Sequence, residues 1–239
     1  MNIRKHIPNA LTCISLATGC YACILALCGD YRGAMIAICI ASVLDFSDGL
    51  AARMLNAYSA IGKDLDSLAD LVSFGVAPGM IVFDFIDRTQ KTAAWGNPLW
   101  EGKVLLITAF LIPVFSALRL AKFNNDKRQT TSFIGLPVPA NALFWAPLIY
   151  TLDAVLRGNL QNTCIIPVAV SCLAVISSFL LVSEIPMFSL KVKSLAWKGN
   201  ELRYILFISA IGFILWLGPL GITVTVAAYV VLSIFNKRK

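Results

Sequence analysis

Histidine is almost absent from this sequence. Of 239 residues only His6 is a histidine, and it lies in a basic N-terminal segment beside Arg4 and Lys5. Zinc sites rich in histidine and Ser-His-Asp triads both need an imidazole close to other reactive groups. The chain therefore has almost no material for either kind of chemistry.

Charged residues are also scarce. They make up 14% of the chain and hydrophobic residues 58%, whereas soluble domains carry about 25% charged residues. The polar stretches, such as residues 87–102, 121–133 and 189–203, are short. None is long enough for a soluble domain, so the composition predicts a single integral membrane domain over residues 1–239.

Apolar runs recur along the whole chain, and most are long enough to cross a hydrocarbon core about 30 Å thick. The first run lacks a clear small-residue cleavage site, which favours a permanent helix over a signal peptide. The last two runs are separated only by Gly218 and Pro219, so a single re-entrant pair is an alternative there. The pattern predicts an all-α, polytopic bundle of about eight transmembrane helices, at residues 7–28, 33–53, 66–86, 103–122, 136–156, 164–183, 203–217 and 220–235.

The net charge of +7 is explained by where the basic residues fall. With eight spans and a cytoplasmic N-terminus, 15 of the 20 lysines and arginines lie on the cytoplasmic side. This positive-inside bias predicts that both termini are cytoplasmic and that the chain lies in the cytoplasmic membrane. Attraction for anionic lipid headgroups then accounts for the excess without a nucleic-acid partner. The five basic residues on the other side are Arg32, Arg88, Lys91, Lys103 and Arg157.

Seven cysteines lie within the apolar runs. Cys20 and Cys23 have the spacing of a redox pair, but they sit in the middle of a predicted span without a neighbouring histidine or charge. Cysteine as a small buried hydrophobic residue is the better interpretation.

The second predicted span carries two aspartates, although carboxylates inside a membrane are costly and usually mark ion, proton or substrate sites. Asp45 and Asp48 are three residues apart, so they share one helix face. Gly49 and Ala52 continue that stripe with almost no side chain, which leaves room for a large ligand. Arg53, at the cytoplasmic end, can reach phosphate oxygens.

The third span repeats this arrangement, since Gly62, Asp66 and Asp70 follow one another at intervals of four residues. Antiparallel packing of the two helices would bring four carboxylates together, and these would repel one another without cations. Mg²⁺ or Mn²⁺ prefers carboxylate and phosphate oxygens, and two ions about 3.5–4 Å apart can clamp a displacement at phosphorus. Asp64 is interpreted as a solvated loop charge. The predicted metal ligands are Asp45, Asp48, Asp66 and Asp70.

These residues resemble, in identity and spacing, the signature D-x2-D-G-x2-A-R-x8-G-x3-D-x3-D of the CDP-alcohol phosphotransferase family. All its fixed positions are filled, between Asp45 and Asp70. Members of that family are integral membrane enzymes that displace CMP from a CDP-linked lipid or alcohol with a second alcohol, using a divalent metal held by the four aspartates. The resemblance implies the same activity and cofactor here, and also a homodimer.

Four further stretches are similar to the branch of the family whose members make phosphatidylserine. The resemblance runs to about residue 145, so residues 1–145, with five helices, are the expected catalytic core and residues 146–239 add further transmembrane helices. The stretches are "IPNALT" (7–12), "DLVSFGVAP" (70–78), "SALRLAKFN" (116–124) and "FIGLPVPAN" (133–141).

The resemblance implies CDP-diacylglycerol as donor, L-serine as acceptor and CMP as leaving group, with the site facing the cytoplasm. Asp70 is then the candidate general base, and Arg53 stabilises charge on the phosphoryl group. Thr12 has an equally good alternative role, bonding to its own helix backbone. The expected donor contacts are Asn9, Thr12, Gly49, Ala52, Arg53, Ser59 and Gly62. The expected contacts of the serine carboxylate are Arg119, Lys122 and Asn124, of which the two cations have positive-inside anchoring as an alternative.

Two other functions compete with this interpretation. One is a synthase of the same family that uses another acceptor, glycerol 3-phosphate or inositol phosphate, since the core signature does not distinguish acceptors. The other is a transporter that couples cation flow to the aspartates. Paired repeats and discontinuous helices, which are typical of such transporters, are not evident in the sequence.

Overall fold

The structure is a computed structural model that describes residues 6–57, 60–92, 101–126, 133–157, 165–188 and 200–235. These residues form α-helices joined by short connections, with one antiparallel pair of two-residue strands. The elements are α1 (His6–Leu27), α2 (Tyr31–Met54), α3 (Ala60–Asp70), α4 (Ala77–Thr92), α5 (Glu101–Ala109), α6 (Leu111–Asn125), β1 (Phe133–Ile134), α7 (Val138–Leu156), α8 (Ile165–Val182), β2 (Pro186–Met187), α9 (Glu201–Leu217) and α10 (Leu220–Phe235).

Five of the described helical segments are long and apolar enough to cross a membrane, and α10 is a shorter apolar helix. The protein is thus an all-α, polytopic membrane protein, as the sequence predicts. Membrane crossing by α7, α9 and α10, and the cytoplasmic position of both termini, stay predictions. The five segments are His6–Leu27, Tyr31–Met54, Ile61–Lys91, Lys103–Asn125 and Ile165–Val182.

A π-helical segment, Leu71–Val76, joins α3 to α4 in one continuous helix. In it the Ala77 backbone N–H donates to the Val72 carbonyl, five residues back. Pro78 gives a physical reason, because proline has no N–H and its ring collides with the carbonyl four residues earlier. The regular α-helical ladder therefore cannot pass unchanged through this point, and a wider turn precedes it.

The core lies where α2, the π-helical segment, α4 and α7 meet. Ile38, Phe74, Ile81 and Trp145, one from each element, are fully buried there. Their burial fixes how α2 and the continuous α3–α4 helix lie against each other, and those two helices carry the signature aspartates.

Small residues bring α1 and α6 into close contact with the π-helical segment. A Cβ added to Gly19 would lie 2.7 Å from Cα of Ser73, and the Ser73 hydroxyl donates to the Ser15 carbonyl at 3.1 Å. A Cβ added to Gly75 would lie 3.0 Å from Cβ of Ser116. Small residues at such crossings let membrane helices pack by close contact.

We expect Gly19→Ala to destabilise the protein by about 1–3 kcal/mol, the usual cost of overpacking a tight contact. Alanine ordinarily favours a helix over glycine by about 0.8–1 kcal/mol, so the loss would come from separating α1 from Ser73. The measurement is the apparent Tm of the purified protein in detergent. The matched control is Gly212→Ala in α9, where an added Cβ meets no atom within 4 Å. An unchanged or raised Tm for Gly19→Ala would contradict the close crossing.

The segment before α7 is clamped to the end of α8. Gly135 has φ of 77°, and a Cβ there would lie 2.9 Å from the Ser183 carbonyl oxygen, so the position requires glycine. The Leu136 N–H donates to the Leu180 carbonyl at 3.0 Å. This contact sets the start of α7 beside the last turns of α8.

The last helix, α10, is fastened to α7 and to the segment after β2. The Thr223 hydroxyl donates to the Phe144 carbonyl at 2.9 Å, and the Tyr229 hydroxyl donates to the Phe188 carbonyl at 3.0 Å. The helix is therefore part of the bundle and lies against α7.

Candidate active site

The last turns of α2 and the middle of α3 bring three of the predicted aspartates together. Ligand oxygens of Asp45, Asp48 and Asp66 all lie within 4.8 Å of one another. Asp48 is buried, and the other two are half-buried. Three of the four carboxylates thus converge, and α1 packs against both α2 and α3.

The fourth aspartate, Asp70, lies beside this group and is not part of it. Its carboxyl is within hydrogen-bonding reach of Asp45. It also interacts electrostatically with the guanidinium of Arg119 on α6. Asp70 is therefore at the junction between the acidic group and the buried face of α6.

None of the three converging carboxylates forms an ion pair with another residue in the described part of the chain. By contrast, the buried carboxylate of Asp84 accepts hydrogen bonds from Tyr31 at 2.8 Å and from Arg88 at 2.5 Å. Clustered carboxylates without a cation repel one another, and burial makes the repulsion stronger. The donor set, all carboxylate oxygen, fits a hard divalent cation such as Mg²⁺ or Mn²⁺.

Thr12 on α1 connects the N-terminal helix to this group. Its Oγ1 lies 2.6 Å from Oδ2 of Asp48 and 3.0 Å from the Pro8 carbonyl. The hydroxyl has one proton and donates to one acceptor at a time, so both roles considered for Thr12 have a geometric basis. The contact to Asp48 orients that carboxylate.

A cavity of about 220 Å³ opens beside the carboxylates, between α1, α2 and α3. A Cβ added to Gly49 would meet no atom within 4 Å, so packing does not explain why this position is glycine. Five of the predicted donor-binding residues line the cavity: Asn9, Thr12, Gly49, Ala52 and Gly62. Its other lining residues are Pro8, Asp48, Ala57, Lys63 and Asp66.

Arg53, another predicted donor contact, lies on α2 outside the cavity lining. Arg53 is exposed, and its Nε donates to the Gly49 carbonyl of its own helix at 3.0 Å. Ser59 lies outside the described residues. Lys63, which sequence reasoning missed, lines the cavity and brings a positive charge to it. The signature leaves position 63 open, so only its place directly after Gly62 pointed to it.

The three predicted contacts of the acceptor carboxylate differ in their surroundings. Arg119 is 7% exposed, its Nε has no hydrogen-bond partner among the described residues, and its guanidinium lies 5.0 Å from the centre of the Phe123 ring. Lys122 pairs with Glu184 at 3.6 Å. The Asn124 amide donates to the Ser67 hydroxyl at 2.8 Å. Arg119 is thus the residue of the three whose charge is buried without a salt bridge in the described part of the chain.

Comparison with known sequences gives a family match over most of the chain. A family model described as CDP-alcohol phosphatidyltransferase matches residues 5–180. A protein of Bacillus subtilis (strain 168) is 34% identical over 152 residues, which cover 64% of this chain and 80% of that protein. It is named CDP-diacylglycerol--serine O-phosphatidyltransferase.

Relatives from two other lineages carry the same name. One, from Mycobacterium leprae (strain TN), is 32% identical over 188 residues, and the match covers 76% of this chain and 57% of that protein. Another, from Methanocaldococcus jannaschii, is 30% identical over 186 residues, and the match covers 77% of this chain and 75% of that protein. The chain thus spans little more than half of the mycobacterial protein and three quarters or more of the other two.

Proposed function

This chain belongs to the CDP-alcohol phosphatidyltransferase family, and we propose that it transfers a phosphatidyl group from CDP-diacylglycerol to the hydroxyl of L-serine, giving phosphatidylserine and CMP. The observation that carries the proposal is the convergence of Asp45, Asp48 and Asp66 beside a cavity with a bare glycine wall. The name shared by the relatives supports serine as the acceptor.

The donor binds with its diphosphate over the end of α2. Gly49 and Ala52 have almost no side chain, so the nucleotide lies directly against the backbone of α2. Lys63 from the cavity wall, and Arg53 once it swings away from the Gly49 carbonyl, provide positive charge for phosphate oxygens. Asn9 and Gly62 line the same space, and Ser59 remains a predicted donor contact.

The three carboxylates, with Asp70 as a shared ligand, would hold the divalent metal. Mg²⁺ or Mn²⁺, as two ions, would supply positive charge to the diphosphate and to the departing CMP. Thr12 orients the carboxylate of Asp48 through its 2.6 Å contact.

Asp70 acts as general base for the acceptor. The serine hydroxyl oxygen attacks the phosphorus that carries diacylglycerol, a new P–O bond forms, and the P–O bond to CMP breaks. The proton of the hydroxyl passes to the Asp70 carboxylate, and CMP leaves as the anion. General-base help of this kind contributes about 10²–10⁴-fold to the rate.

Arg119 receives the serine carboxylate. A buried guanidinium without a salt bridge is costly, and Arg119 interacts electrostatically with Asp70, the proposed base. An acceptor held by its carboxylate at Arg119 therefore places its hydroxyl near Asp70. Lys122 and Asn124, which have protein partners, hold α6 against its neighbours in this proposal and do not bind serine directly.

We expect Arg119→Gln to raise the KM for L-serine by about 10–100-fold, because a hydrogen-bonded charge contributes about 1.5–3 kcal/mol. The KM for CDP-diacylglycerol should stay within about twofold, since α6 does not line the donor cavity. The control is Lys122→Gln, which removes an exposed ion pair of little energetic weight and should leave both KM values nearly unchanged. Equal KM shifts for both substrates in Arg119→Gln would argue against carboxylate binding at this residue.

The proposed reaction is tested directly by CMP release. Purified protein in detergent receives CDP-diacylglycerol, Mg²⁺ or Mn²⁺, and in separate reactions L-serine, glycerol 3-phosphate or inositol phosphate. Release is expected with serine, and a chelator should abolish it until metal is added back. Release with a phosphorylated acceptor and none with serine would reassign the acceptor within the family. Cation flux in sealed vesicles without any CMP release would support the transporter instead.

We propose that the protein lies in the cytoplasmic membrane with its cavity facing the cytoplasm. The positive-inside distribution of basic residues supports this orientation. The homodimer implied by the resemblance and the division of the chain at residue 145 remain predictions, and the family match itself extends to residue 180.

A further inference from the structure

Asp48 is held from outside its own helix by a hydroxyl group of α1. Thr12 Oγ1 lies 2.6 Å from Asp48 Oδ2, the length of a hydrogen bond to an ionised oxygen. Thr12 is 4% exposed and Asp48 is 5% exposed, so water has little access to this contact. Both residues also line the donor cavity. The contact therefore lies in the wall of the proposed metal site, between the helix that carries the ligand and the N-terminal helix.

The hydroxyl proton of Thr12 has two acceptors within reach. Besides Asp48, the Pro8 carbonyl of its own helix lies 3.0 Å from Oγ1, and a hydroxyl donates to one acceptor at a time. A carboxylate that binds a cation carries no proton, and two oxygens 2.6 Å apart need a proton between them. When a cation is bound, Thr12 therefore donates to Asp48 and not to Pro8.

This hydrogen bond ties the Asp48 carboxylate to a fixed support. Rotation about its Cβ–Cγ bond would break a charge-assisted hydrogen bond, which is about twice as strong as one between neutral groups. The helix of Thr12 is itself anchored one turn further along. Ser15 Oγ donates to the Ala41 carbonyl of α2 at 3.1 Å, and Ser73 Oγ of the π-helical segment donates to the Ser15 carbonyl at 3.1 Å. Asp48 is thus held in one orientation.

We propose that Thr12 is a positioning residue that makes the site select Mg²⁺ or Mn²⁺ against Ca²⁺. The inference deepens the proposed function and rests on it, since it presupposes a cation at the three carboxylates. Mg²⁺ requires near-ideal octahedral geometry, whereas Ca²⁺ accepts about six to eight oxygens in flexible arrangements and binds carboxylates through one oxygen or both. Mn²⁺ shares the octahedral oxygen chemistry of Mg²⁺. A carboxylate held in one orientation suits these two ions, and one that turns freely suits Ca²⁺.

Thr12→Val removes the hydroxyl and keeps the branched shape of the side chain. Groups that orient a metal ligand in this way contribute about 10–100-fold to metal affinity. We expect the Mn²⁺ dissociation constant, measured by equilibrium dialysis of the purified protein in detergent, to rise by that factor. The Ca²⁺ dissociation constant should change less than about threefold, because Ca²⁺ tolerates a mobile ligand. Thr12→Ser keeps the hydroxyl and should keep the Mn²⁺ affinity within about threefold of the parent.

Thr18→Val is the matched control, because it makes the same change on the same helix. Thr18 Oγ1 donates to the Ile14 carbonyl at 2.8 Å, four residues back, but it does not line the donor cavity. The control should leave the affinities for both ions unchanged, which separates the contact to Asp48 from a bond to the helix backbone. Thr12→Ala, which removes the hydroxyl without placing a methyl group beside Asp48, should give the same change in selectivity as Thr12→Val. The apparent Tm of each variant checks that it is folded.

Two results would overturn the inference and leave the metal site standing, as long as Asp48→Asn loses Mn²⁺. Equal weakening of Mn²⁺ and Ca²⁺ binding in Thr12→Val would mean that the hydroxyl supports the site without selecting the ion. Mn²⁺ affinity equal to that of the parent would mean that the hydroxyl serves only the backbone of α1. Retained Mn²⁺ binding in Asp48→Asn is a different outcome, since it would overturn the metal site of the proposed function and this inference with it.

Discussion

Replacement of Asp48 by asparagine should lower the rate of CMP release by about a thousandfold and remove bound Mn²⁺ at the same time. The substitution keeps the shape of the side chain but removes one of three converging anionic ligands. The several kcal/mol that a metal contributes to charge stabilisation at phosphorus would be lost with it. Thr12 would still have an oxygen to bond, so the local packing should survive.

The matched control for this loss is Asp64→Asn. Asp64 lies on α3 between the cavity residues Lys63 and Asp66, but its side chain is exposed and it is not part of the carboxylate group. The control removes the same charge from the same helix, and we expect it to change CMP release less than twofold. Mn²⁺ binding is measured by equilibrium dialysis, which does not depend on turnover. Retained Mn²⁺ binding in Asp48→Asn would remove the metal assignment.

In the same experiment, Asp70→Asn distinguishes the general-base role of Asp70 from a role in metal binding. Because Asp70 lies beside the group of three and not inside it, Mn²⁺ binding should weaken only a few-fold. The value of kcat should nevertheless fall by about 10²–10⁴-fold, the usual contribution of a general base. A loss of Mn²⁺ as complete as that in Asp48→Asn would make Asp70 chiefly a metal ligand.

The second large effect is expected at a residue that has no side chain. Gly49→Ala should raise the KM for CDP-diacylglycerol about 10–100-fold, because a methyl group on the cavity wall would push the donor off the helix backbone by overpacking worth about 1–3 kcal/mol. Stability should not fall. A Cβ at Gly49 meets no protein atom within 4 Å, and alanine favours the helix by about 0.8–1 kcal/mol over glycine.

Opposite changes in activity and Tm are what distinguish a ligand surface from a packing contact. Gly212→Ala shares the open surroundings of Gly49 but lies on α9, away from the site, and should change neither the KM nor CMP release. Gly19→Ala should lower Tm because it meets Ser73. If Gly49→Ala has the KM of the parent, the nucleotide does not lie against this part of α2.

Helical periodicity was enough to predict the convergence of Asp45, Asp48 and Asp66, whereas Asp70, predicted in the same group, lies beside it. Hydropathy likewise placed α10 at 220–235, in agreement with the structure. The third span was predicted at 66–86, whereas the helix runs over Ile61–Lys91. Hydropathy detects only the apolar length of a helix, and the polar turn that carries Gly62 and Lys63 lies beyond it.

Contacts between distant segments could not be predicted in the same way. Lys122 and Asn124 have the right residue types for anion binding, but they contact Glu184 and Ser67 across other elements. Whether such a side chain is open to a ligand depends on tertiary packing, which a single sequence does not display.

The π-helical segment Leu71–Val76 determines the angle, around the helix axis, between the signature aspartates of α3 and the buried face of α4. Each residue of an α-helix advances about 100° around the axis, so the wider turn rotates the face with Asp66 and Asp70 relative to the buried face of α4. Deleting one residue there would turn the two carboxylates about 100° away from α2 while leaving composition and hydropathy almost unchanged. Length changes in the polar connections would leave this angle unchanged, whereas a deletion between Asp70 and Pro78 would remove Asp66 and Asp70 from the site.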